Sequence, residues 1–105
     1  MVKMTHEEWQ QLGAAIVVWS GWGNSSRPSR NAESVAACFG EETAATLLPL
    51  IRQVEDEFYA SDARHVAADL AAMATISSRQ FTAKYPELPV DAVRALAWCY
   101  TFDYK

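Results

Sequence analysis

Leu47, Ile51, Val54 and Phe58 recur at i, i+4, i+7 and i+11. That period fits a helix with one buried face and fits no strand. The same stretch carries Glu55, Asp56 and Glu57, followed by Asp62 and Asp69. One segment therefore holds both a core-facing stripe and the densest charge of the chain. Anything built around it is a helical core with a charged outer side.

The flanking sequence supplies more helices. Thr5 and Glu8 have the spacing of a capping box, in which each side chain satisfies a free amide of the other residue. Trp9, Leu12, Ile16 and Trp19 then form one face, and Gly21 and Gly23 end the helix. The segment 21–31 (GWGNSSRPSRN) reads as a loop, because its residues disfavour regular structure. A second, short helix runs from Asn31 as N-cap to Phe39, with Val35, Cys38 and Phe39 inward and Gly40 at its end. A third spans about Glu41 to Tyr59. Pro49 lies inside it, where a missing amide hydrogen either kinks the helix or forces a restart after Thr46. A fourth is expected from Ser61 or Asp62 to about Lys84, with Leu70, Met73, Ala74, Ser77 and Phe81 on its inner face. Tyr85 to Pro89 breaks it. A fifth starts near Pro89 or Val90, with Val93, Leu96, Ala97 and Tyr100 on one face and Trp98 and Phe102 on others. The expected fold is all-α, a single domain over residues 1–105, built as a bundle of about five helices.

Size supports a real core. A chain of 105 residues and 11.7 kDa exposes ~5,900 Å² folded against ~17,000 Å² unfolded. The net charge is −4, and residues 41–69 hold seven acids against two bases, Arg52 and Arg64. Nucleic-acid binders carry a basic stripe, so no nucleic-acid partner is expected. An acidic patch steers basic partners instead. The longest apolar run, Ala14 to Trp19, is far short of a membrane span. Glu7 and Glu8 interrupt any signal-peptide pattern. The expectation is a cytoplasmic protein without membrane contact, with Cys38 and Cys99 reduced.

No motif for catalysis appears. Asp62, His65 and Asp69 are spaced i, i+3, i+7, which would put them on one face of a continuous helix. Those residue types ligate metals, but a zinc site needs three firm ligands in a recognisable spacing, and His6-Glu7-Glu8 lacks the second histidine of H-E-x-x-H. Glu55, Asp56 and Glu57 are sequence neighbours that cannot face one cleft, so most should point to water. Neither cysteine has a basic neighbour to stabilise a thiolate. Ser25, Ser26 and Ser29 beside Arg27 and Arg30 lack phosphate-loop spacing and read as a solvated loop. No metal or cofactor is expected, and no enzymatic activity. Of the four tryptophans, four tyrosines and four phenylalanines, most should form the core. Trp22 is either a lid on that core or an exposed anchor for a partner.

With the acidic helix pair around Glu55-Asp56-Glu57-Phe58-Tyr59 and Asp62, the chain resembles in type the small helical immunity proteins of bacterial toxin–immunity pairs. The resemblance implies an inhibitor that plugs a toxin's active site, and a basic toxin such as a nuclease would suit the charge. Glu55, Asp56, Glu57, Asp62 and Asp69 would then speed encounter, with Tyr59 and Trp22 as anchors. The rival expectation is a small-molecule or metal site in a pocket between the last two helices, near His65 and Tyr85. A homodimer burying Trp98 and Phe102 is a third.

Overall fold

The structure, a computed structural model, describes residues 4–24 and 26–104. Its helices are α1 (His6–Ser20), α2 (Ala32–Phe39), α3 (Glu41–Tyr59), α4 (Ala63–Val66), α5 (Leu70–Lys84) and α6 (Val90–Asp103). No strand occurs among the described residues, so the chain is all-α. The segment α4 is a single turn, and the other five make the bundle.

The starts and stops follow local chemistry. The Thr5 hydroxyl accepts from the Glu8 amide at 3.1 Å, and the Glu8 carboxylate accepts from the Thr5 amide at 3.0 Å. Gly21 ends α1 at φ 81, where its amide donates to Val17 and Val18. The loop beyond is not loose. Its Ser29 and Asn31 amides donate back to the carbonyls of Ser20 and Trp19 at 2.9 and 2.8 Å. Ser25 lies outside the described residues. The Asn31 side chain accepts from the amides of Glu33 and Ser34 and opens α2. Gly40, at φ 87 and ψ 153, joins α2 directly to α3. Only glycine holds that region without strain.

The third helix continues through Pro49, so the restart alternative is set aside. Pro49 is exposed; its ring meets water, and the carbonyl of Ala45 loses its helical donor. Leu47, Ile51, Val54 and Phe58 are all buried, as the stripe demands. They pack with Trp9, Leu12, Ile16 and Trp19 of α1 and with Leu96 and Tyr100 of α6 in one core. Helix α6 lies against both α1 and α5. At the α1–α6 seam, a Cβ built on Gly13 would stand 2.7 Å from the Pro89 ring, so only glycine permits this approach. The radius of gyration is 13.2 Å, close to the ~13 Å of a compact single domain of this length.

Three expectations are corrected. Residues 62–84 do not form one helix. Backbone at Ala67 (ψ 141) and Asp69 (φ −153, ψ 178) is extended, and the Asp69 carboxylate accepts from the Ala72 amide at 2.7 Å. The capping bond favours a new start over continuation. Asp62, His65 and Asp69 therefore do not share a helical face. Leu70, the first residue of α5, is 44% exposed, and Met73, Ser77 and Phe81 carry the inner face. Cys38, expected inward, is exposed. Val35, Phe39 and Ala36 span the buried arc of α2, and Cys38, about 60° from Val35 on the other side, lies just beyond its edge.

Candidate functional site

Consecutive helical positions point about 100° apart, and the three successive acids near the end of α3, Glu55, Asp56 and Glu57, diverge accordingly. Glu55 meets Arg30, with Oε2 3.3 Å from Nε. Arg30 also pairs with Asp103 and donates to the Tyr59 hydroxyl at 3.0 Å. That hydroxyl in turn donates to Asp103 at 2.5 Å. Arg30 holds a positive φ of 47 to do this, a conformation that side chains other than glycine rarely adopt. The cluster ties the loop before α2 to α3 and to the end of α6. Burial pushes the Glu55 carboxyl up, with Arg30 opposing it. Burial and the bond to Asp103 push the Tyr59 phenol up. Tyr59 is therefore a neutral donor held in place.

Glu57 turns the other way, toward the Tyr85 hydroxyl, and holds that phenol above its ordinary range. Asp56 is exposed. Asp62 accepts from the Gln80 amide nitrogen at 2.9 Å, and Asp69 caps α5. The Arg64 guanidinium faces inward. It donates to the carbonyls of Tyr59 and Ser61 at 3.1 and 2.8 Å and sits 4.7 Å from the centre of the Tyr104 ring. Among the described residues only Glu55, of the acids between 41 and 69, is in an ion pair.

A second surface lies between α5 and α6. It is an open groove of about 540 Å³ whose apolar lining includes Ala74, Val93 and Ala97. Trp22 is half-buried here and tilts against Trp98, ring centres 5.5 Å apart. It is thus partly a lid and partly a groove wall. Val90, 64% exposed, lies further along α6. Arg79 and Arg94 join the lining, and no acid does. Neither guanidinium has an ion pair or hydrogen bond among the described residues. The sequence held one signal for this face: Val90, Arg94 and Trp98 follow at i, i+4, i+8. Another cavity, of about 450 Å³, sits beside Trp19 and Pro49, with Arg30, Arg52 and Glu55 at its edge.

The expected pocket near His65 and Tyr85 is corrected. A cavity does exist between the last two helices, but neither residue lines it. His65 precedes α5 and Tyr85 follows it, so the length of that helix, about 22 Å, separates them. Tyr85 instead packs on Trp9 and Phe81. Trp22 lines the groove, and Tyr59 lines neither the groove nor the cavity beside Trp19. No group of three His, Cys, Asp or Glu placed to hold a metal occurs among the described residues. Both thiols are free, and burial pushes that of Cys99 up to about 11. No described helix is long and apolar enough to cross a membrane. Comparison with protein-family models, with curated proteins and with solved structures finds no match.

Proposed function

We propose that this chain is a protein-binding protein that acts by contact, presenting the carboxylates of α3 and the turn after it to a basic partner. The observation that carries the reading is the pairing pattern: of the seven acids between 41 and 69, all but Glu55 stand without an ion pair among the described residues. The arginine that follows α3 is turned into the fold, where backbone carbonyls take its donors. Asp56 and Asp62 are exposed and make no ion pair among the described residues, so their field reaches solvent and draws in cations. Glu55 and Tyr59 hold the surface in shape through Arg30 and Asp103. An inhibitor of the immunity type, covering the active site of a basic toxin, is the specific form this function takes in the proposal.

The test starts with the tagged protein as bait in a lysate of its own source, at low and high salt, followed by rapid-mixing kinetics on what is captured. Asp56→Lys with Asp62→Lys should slow association and flatten its salt dependence, since steering acts mainly on the on-rate. A captured partner whose on-rate ignores both substitutions would show that the acids are not the contact face.

A further inference from the structure

The groove between α5 and α6 carries chemistry that the fold does not use. We propose that it is the docking site for an acidic amphipathic helix of a partner protein. This is separate from the α3 carboxylates, which would repel such a helix.

Shape comes first. Val90 and Thr101 mark the length of the groove along α6, a run of roughly 17 Å, or about three turns of a docked helix. Ala74 and Ala97 are small, so a third backbone can approach closely between the two helices. The Trp22–Trp98 pair stands toward one end and exposed Val90 toward the other. Apolar residues on successive turns of an incoming helix meet both, which is how amphipathic helices are read by grooves.

Charge then selects the occupant. Arg79 and Arg94 are exposed and have no partner among the described residues. No carboxylate lines the groove, although the chain as a whole carries a net charge of −4. A cationic apolar trough on an acidic protein is complementary to carboxylates flanking an apolar stripe. Guanidinium forks bind carboxylates in two-point fashion, which fixes orientation as well as sign. The Trp19 cavity lacks this property, because a carboxylate, Glu55, is part of its lining and is paired there with Arg30.

The probe is a fluorescein-labelled helical peptide of about 16 residues, roughly the groove length plus one turn, patterned with leucine on one face and glutamate beside it. Anisotropy should show saturable binding, and the tryptophan emission of the protein should shift with it. Arg79→Glu with Arg94→Glu should weaken binding about tenfold, the scale of two exposed ion pairs, without moving the thermal midpoint. Trp98→Ala should weaken it as well. Peptide binding that is unchanged in the double variant overturns the proposal. So does a peptide-free protein that sediments as a dimer and dissociates on Val90→Asp, which would give the groove to a second copy. Binding of anilinonaphthalene sulfonate at the groove, with no binding of the peptide, would mark a small-anion site and overturn it too.

Discussion

On one face of α6 the hydroxyl of Tyr100, fully buried, donates to the Ser61 carbonyl at 2.9 Å and accepts from the Arg64 amide at 3.0 Å. On the opposite face, Arg94 and Trp98 border an open groove, and the Thr101 hydroxyl bonds only to its own helix at Trp98. Both faces are rich in apolar side chains, so hydrophobicity does not tell them apart. What differs is the polar groups. On the closed face each one has a partner from another part of the fold, and removing any of them strands a buried group. On the open face the charged groups have none. A surface whose donors are all used is structural, and one whose donors wait is available to a partner.

Substitutions can break that contrast. The largest effect is expected at Tyr100→Ala, which removes a ring packed edge-on to Phe58 and Tyr59 and takes from the Arg64 amide its acceptor; about 3–5 kcal/mol should be lost in denaturant unfolding. Tyr100→Phe, which keeps the ring, separates the hydroxyl's share, about 1–3 kcal/mol. Next comes Gly13→Ala, at the seam where α1 meets the start of α6. Its Cβ collides with the Pro89 ring, and overpacking of this kind costs about 1–3 kcal/mol. A stability equal to the wild type would mean that the seam yields easily. The smallest effect belongs to the open face. Val90→Ser should stay within about 0.5 kcal/mol of the parent in the same unfolding assay. A large loss there would make the groove part of the core and erase the contrast.

Much of this architecture is written in local sequence. The Thr5–Glu8 box, Asn31, Gly40 and the stripe from Leu47 to Phe58 each act within a few residues, and each appears where local physics puts it. The break before α5 was not legible. Ala67, Ala68 and Leu70 extend the helical pattern, and the capping bond of Asp69 competes with it on nearly equal terms. The acids were legible as a cluster but not as individuals. Whether Glu55 faces water depends on Arg30, and Arg30 arrives from a loop that local chemistry marks as solvated. The groove is harder still, because it is defined by what no other element covers. Its traces were the apolar character of α6 all round and the spacing of Val90, Arg94 and Trp98, and neither says which side is left bare.

The bond between the Arg64 amide and the Tyr100 hydroxyl spans 36 positions of chain. The turn after α3 thus looks local but is closed from a distance. Its formation carries the closure entropy of a long loop, which makes it a late event on the folding pathway. In the native state the Arg64 amide hydrogen is bonded to a side chain of α6. Its exchange rate therefore reports the docking of the last helix, not the fraying of the single turn in which it sits.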